Sequence, residues 1–226
     1  MNAKLCGFFS GFPERRFTLA IAEVLKGELK RRGALVFVSC IPNRFSGNDD
    51  DSNGMHAMFS EFGMAFDTHF VIDQRTGKEE AKELIRKADC IFLMGGNATM
   101  QMKQIIEKEI CEDIRNSSAV ILGVSAGAMN MGKRTVDIYE TTEPYEGLGF
   151  LDITVKAHYP LDDINLMDDI RKVSMNIPVT LMTDESAIFV KNGSISMIGD
   201  IYRMNKGEIT PFTGKELKEM YIDSSI

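Results

Sequence analysis

The chain has 226 residues, 44% of them hydrophobic, with a formal net charge of −7 and a pI near 5.1. That is enough apolar material for a core, and the length suits one domain, expected over residues 1–226. The acidic balance argues against nucleic acid or an anionic membrane as partner, because both call for clustered Lys and Arg. No apolar run approaches the ~18 residues of a spanning helix.

The first residues, MNAKLCGFFSGFPERR, carry one Lys before a short apolar run. A charged leader followed by a long apolar stretch is not what they spell, so the expected compartment is the cytoplasm. Lys4–Phe9 predicts a strand ended by Ser10-Gly11. Helical spacing of Phe17, Ile21, Val24, Leu25 and Leu29 predicts a helix over Glu14–Arg31, stopped at Gly33. Ala34–Cys40 reads as a second strand. Pro42–Gly54 reads as a polar loop whose acidic triplet is a solvated tip, and Ser52–Ala65 as a helix. A strand at His69–Ile72, a helix at Lys78–Lys87, a strand at Asp89–Leu93 and a helix at Thr99–Cys111 follow. Beyond residue 132 the pattern turns β-rich: Thr135–Tyr139, Ile153–Ala157, Val179–Met182, Ala187–Val190 and Ser194–Ile198, the last two joined by an Asn192-Gly193 hairpin turn. Asp162–Met175 and Lys215–Tyr221 read as helices.

Alternating strands and helices of this kind define an α/β architecture, with a mainly parallel twisted sheet and helices on both faces. Continuous apolar runs, rather than alternating ones, agree with strands buried on both sides. In such sheets ligands bind at the carboxyl ends of the strands. Ser10-Gly11, Gly95-Gly96-Asn97 and Ser125 are therefore expected on one rim.

Residues 119–132, AVILGVSAGAMNMG, carry the chemistry. An apolar run enters Gly123-Val124-Ser125-Ala126-Gly127, and a small-residue helical segment leaves it. This is the G-x-S-x-G pattern between a strand and a helix, the context in which the serine becomes an exposed nucleophile. The turn is tight enough to need glycine where a Cβ would clash. It also aims the N–H groups of the helix start at whatever the serine attacks.

A serine hydroxyl needs a base. His158 is the histidine that follows the turn, at the end of the ITVKA strand. His56 falls in a helix, and His69 opens a strand at the rim away from the site. The imidazole in turn needs an orienting carboxylate. Glu185, in LMTDESAIFV, and Asp137, twelve residues past the serine, are the two candidates, with Asp184 and Asp152 less favoured. The residue after the nucleophile, Ala126, supplies one oxyanion donor. Gly96, in the Gly-Gly-Asn turn after the preceding strand, supplies another. Gly95 and Asn97 of that turn then border the substrate. Cys6, Cys40, Cys90 and Cys111 form no C-x-x-C pair and read as reduced thiols. No histidine has a zinc-type partner at short spacing, so neither a metal nor a cofactor is expected.

MGGNAT at 94–99, GVSAGAMN at 123–130, AHYP at 157–160 and DESAI at 184–188 together resemble the dipeptidase E and cyanophycinase family of serine peptidases. The resemblance spans most of the chain. It implies a class I glutamine amidotransferase-like fold with serine in place of the amidotransferase cysteine. It also implies Ser125 as nucleophile, His158 as base, and Gly96 and Ala126 at the oxyanion. The family's Ser-His-Glu triad would be matched by Glu185, and a proposed downstream Asp by Asp137. Dipeptidase E binds an N-terminal aspartate with an arginine in a Gly-Glu-Thr-Arg loop after the histidine. The corresponding segment here, YPLDDINLMDDIRK, lacks that motif. Its Asp162, Asp163, Asp168 and Asp169 would repel an acidic substrate at close range. The longer substrate-binding insertions of cyanophycinases are absent.

The expected function is therefore hydrolysis of short peptides by a serine peptidase, with aspartyl specificity disfavoured and the side-chain preference left open. The rival from another class is a non-catalytic peptide or small-molecule binding protein on the same fold. An α/β-hydrolase is disfavoured, because the 33 residues from Ser125 to His158 leave little room for that fold's remaining elements. A short peptide is the expected partner. A homodimer is compatible with this size, though no residue pattern demands one.

Overall fold

The computed structural model describes residues 4–138, 143–159 and 164–213. The first half of the chain alternates strand and helix. It runs β1 (Cys6–Phe9), α1 (Leu19–Glu28), β2 (Ala34–Val38), α2 (Phe45–Glu61), β3 (Thr68–Ile72), α3 (Lys78–Lys87), β4 (Cys90–Leu93), α4 (Ala98–Glu107), α5 (Cys111–Asn116), β5 (Val120–Val124) and α6 (Ala126–Met131). The second half is β6 (Arg134–Thr135), β7 (Tyr145–Glu146), β8 (Thr154–Lys156), α7 (Ile164–Ser174), β9 (Val179–Met182), β10 (Ala187–Lys191), β11 (Ser194–Ile198), β12 (Ile201–Asn205) and β13 (Glu208–Pro211).

The main sheet has the order β11-β10-β1-β5-β4-β2-β3. Its five N-terminal strands are parallel, and β10 and β11 add an antiparallel edge. This is the expected mainly parallel α/β fold. Successive side chains of a strand face opposite sides, so β2 feeds two cores. Val36 and Val38 pack with Ile85, Met102, Ile105 and Ile114, from α3, α4 and α5. Leu35 and Phe37 pack with Ile21, Leu25, Met58 and Phe59, from α1 and α2. Both faces are thus covered by helices, which is why these strands read as unbroken apolar runs. A second sheet, β13-β12-β9-β8, packs α7 over a smaller core of Ile170, Val173, Val179, Leu181 and Met204.

Several elements depart from the sequence expectation, each for a local reason. The first helix begins at Leu19, because Thr18 caps it and Phe17 is drawn into a ring cluster with Phe9, Phe12 and Phe59. Residues 45–51, expected as loop, are the start of α2. Their acidic residues are largely paired rather than simply solvated: Asp49 with Arg75, and Asp51 with Arg44. Buried Asn48 ties the helix to Ile41 O and to Asp73. The helix expected over Thr99–Cys111 stops at Glu107, and a separate short helix, α5, starts at Cys111. Glu109, at φ +56, ends the first turn of chain after α4, and fully buried Ile110 anchors the break before α5. The strand expected from Thr135 is only the short β6, with residues 139–142 outside the described ones. The hairpin β12–β13 was not anticipated, although its Lys206-Gly207 turn has the positive φ values of a two-residue hairpin loop. The helix expected at Lys215–Tyr221 lies outside the described residues.

Candidate active site

The registers Phe9↔Val124 and Leu93↔Gly123 bring the carboxyl ends of β1, β4 and β5 level. Ser10, Gly95 and Ser125 therefore leave the sheet on one rim, as expected from the chain order. Ser125 is the hinge between β5 and α6. Its φ of +53 and ψ of −116 are a conformation that ordinary residues avoid, and strain of this kind collects at functional sites. The turn closes only because its neighbours are bare. A Cβ on Gly127 would stand 2.1 Å from Leu93 O. The Ser125 N–H donates to Phe9 O, which fixes the turn to β1.

The histidine and its carboxylate arrive from the second sheet. β8 and β9 are parallel neighbours with Lys156 opposite Leu181. Tyr159 N–H continues the ladder to Met182 O. Chain leaving the two strands at one end places His158 beside residues 183–184. Ser125 Oγ lies 2.9 Å from His158 Nε2, and His158 Nδ1 lies 2.6 Å from Asp184 Oδ1. A carboxylate only accepts, so Nδ1 carries the proton and Nε2 is left to accept from the serine hydroxyl.

The carboxylate hydrogen-bonded to His158 is that of Asp184, not of Glu185 or Asp137, the two expected from sequence. Residues 183–186 form a tight turn closed by Ser186 N–H to Thr183 O. Glu185 is the turn's third residue, at φ +63, and its N–H donates to Gly11 O. Only Asp184 follows β9 closely enough to meet the histidine across the register. Asp137 is buried elsewhere: its Oδ2 accepts from Thr99 Oγ1 at 3.4 Å, and it lies close enough to buried Lys156 to favour that ammonium against desolvation. Asp152 pairs with Lys133. His56 and His69 stack on each other at 4.7 Å, away from the rim.

Two residues support this pair that sequence reasoning had placed only on the rim. Ser10, fully buried, donates from Oγ to Met182 O at 2.8 Å and accepts there from His158 N–H at 2.7 Å. His158 itself is held at φ +51. A Cβ on Gly11 would lie 2.4 Å from both Asp184 Oδ1 and His158 Cε1, so only glycine leaves room for the pair. The Ser-Gly after a strand was the available signal.

The Gly95-Gly96 turn follows β4 on the same rim. A Cβ built on Gly95 would be 3.4 Å from that of Ser125, and Gly96 has φ +136. Ala126 opens α6, where the first amides lack intrahelical acceptors. Asn97, expected beside substrate, uses its Oδ1 to cap α4 through Met100 N–H at 2.7 Å. Of the acidic segment after His158, residues 160–163 lie outside the described ones. Asp168 and Asp169 pair with Arg171 and Lys172 on α7.

A parallel α/β sheet with a strained serine turn at its carboxyl edge, faced by a hydrogen-bonded His–Asp pair, places the chain in the class of peptidase-type α/β folds. Residues 37–198 match peptidase family S51, and the chain belongs to that family. Among solved structures it is similar to a peptidase from an acI-B1 actinobacterium. The TM-score is 0.72 at 15% identity, over 94% of this chain and 95% of that one. It is also similar to a candidate peptidase E protein from Listeria monocytogenes EGD-e. There the TM-score is 0.67 at 15% identity, over 87% and 98% of the two chains. A search of curated proteins found no match.

Proposed function

We propose that this chain is a serine peptidase of the dipeptidase E type that hydrolyses short peptides through an acyl-enzyme. The observation that carries the reading is the continuous relay from Ser125 Oγ through His158 to Asp184, at 2.9 and 2.6 Å. In the first step Ser125 Oγ attacks the scissile carbonyl carbon while His158 Nε2 takes the hydroxyl proton. The oxyanion is held by N–H donors of Gly96 and Ala126, each such donor typically worth ~10²–10³ in turnover. Asp184 keeps the Nδ1 proton in place and stabilises the imidazolium. The carbon–nitrogen bond then breaks, and Nε2 returns its proton to the leaving amine. Water, deprotonated by the same nitrogen, cleaves the ester, giving a carboxylic acid and the free serine.

The test is labelling with a fluorophosphonate probe, read by intact mass, beside Ser125→Ala and His158→Ala. A single adduct, lost in the serine variant and much slower in the histidine variant, is the expected result. An unlabelled wild-type protein would overturn the nucleophile assignment and favour a binding protein on this fold.

A further inference from the structure

A cavity of about 310 Å³ opens directly beside the serine. Gly95 and Val124, both adjoining Ser125, form its inner wall. Its floor is apolar. Met58 and Met94 are buried, and Phe12 and Met55 are half-buried. Phe12 is held in place by ring contacts with Phe9 and Phe17, at 5.3 and 5.2 Å. The mouth is charged, with Asp50 and Asp51 from α2 facing Arg15 from the segment before α1. Asp51 is already paired with Arg44 at 2.8 Å.

We infer that this cavity is a substrate side-chain pocket and that it selects an uncharged, apolar side chain of leucine or methionine type next to the scissile bond. The inference rests on Ser125 as the reacting centre. An acidic side chain entering the pocket would give up its hydration against methionine and phenylalanine, while at the mouth Asp50 offsets the one exposed guanidinium, Arg15, and Asp51 is taken up by Arg44. A leucine or methionine side chain loses nothing polar and gains contact with an apolar floor. The thioethers of Met55, Met58 and Met94 adapt to differently shaped apolar groups, so unbranched and branched side chains both fit.

Gly54 lies on α2 at the pocket lining, and a Cβ built there meets nothing within 4 Å. Gly54→Leu therefore adds a bulky apolar side chain at the lining from a Cβ that meets no neighbour, and Gly54→Ala serves as its control. The experiment is calorimetric binding of the dipeptides Leu-Leu, Asp-Leu and Leu-Asp to Ser125→Ala protein, with the Gly54 variants in the same background. At one of the two positions, replacing Leu by Asp should weaken binding by about tenfold or more, the scale set by one apolar pocket. Gly54→Leu should abolish that preference and Gly54→Ala should keep it. Equal binding of the three peptides, tighter binding of the acidic ones, or a preference untouched by Gly54→Leu would each overturn the pocket. Turnover by wild-type protein is measured separately. Selective binding without cleavage would retain the pocket and remove the peptidase reading.

Discussion

The hydroxyl of Ser10 accepts a 2.7 Å hydrogen bond from the backbone N–H of His158, across 148 residues of chain. The same oxygen donates to Met182 O, so one buried atom joins the end of β1 to the segments leaving β8 and β9. Ser10→Ala leaves the His158 amide without its acceptor and takes one of two donors from Met182 O, which keeps Tyr159 N–H. The expected cost is about 1–3 kcal/mol. Denaturant unfolding should show it as a lower midpoint at unchanged slope. Turnover should fall too, since the φ of +51 at His158 loses its tether. An unchanged midpoint would mean that water replaces the hydroxyl.

Gly11→Ala tests packing against the pair directly. The new methyl would need the space of Asp184 Oδ1 and the His158 ring. The ring must shift, and loss of positioned base catalysis costs ~10²–10⁴ in turnover. Probe labelling of Ser125 should slow in parallel. Labelling at the wild-type rate would show that the loop relaxes instead.

Asp184→Asn and Glu185→Gln separate the neighbouring acids. The amide at 184 can present its N–H₂ to Nδ1 and stabilise the wrong tautomer, an effect worth about 10⁴ in turnover where it has been measured for a Ser-His-Asp enzyme. Glu185→Gln should stay within a few-fold of wild type. If the glutamate variant were the impaired one, the carboxylate assignment would be reversed.

Asp73 gives the protein an acid limit. Burial pushes its carboxyl up, but hydrogen bonds from Arg75 and Asn48 together outweigh this and hold it below the usual 3.8. A folded-state value below the unfolded one means stabilisation that is present above the unfolded pKa and lost as pH falls through the folded one. Wild type should therefore exceed Asp73→Asn in stability near neutral pH. The gap should narrow below about pH 4, near the ordinary Asp value. Urea midpoints across pH 2.5–7 measure it, and a constant gap would refute the linkage.

Gly54→Ala should stabilise. The position is exposed within α2 and has open space for a Cβ. Alanine is favoured over glycine in a helix by roughly 0.5–1 kcal/mol. A fall in the denaturation midpoint would show that the glycine serves another purpose.

Much of this was legible in the chain. Apolar runs broken by polar helices dictated a parallel sheet covered on both faces, since nothing else buries Leu35 to Val38 on both sides. The Gly123–Gly127 pattern located the serine turn, because only bare residues permit the approach of Leu93 O to Gly127. Strand order alone placed Ser10, Gly95 and Ser125 together. Which acid meets His158 was decided by tertiary structure. Asp184 and Glu185 are adjacent and chemically alike, and only the β8–β9 register and the turn at 183–186 set one against His158. The acidic triplet of α2 was likewise decided in space. Asp49 pairs with Arg75 and the neighbouring Asn48 with Asp73, across 26 and 25 residues of chain that local spacing does not encode. Sequence determines which groups are present and which periodicity each segment keeps; distances between groups far apart in the chain are set by how its sheets register and pack.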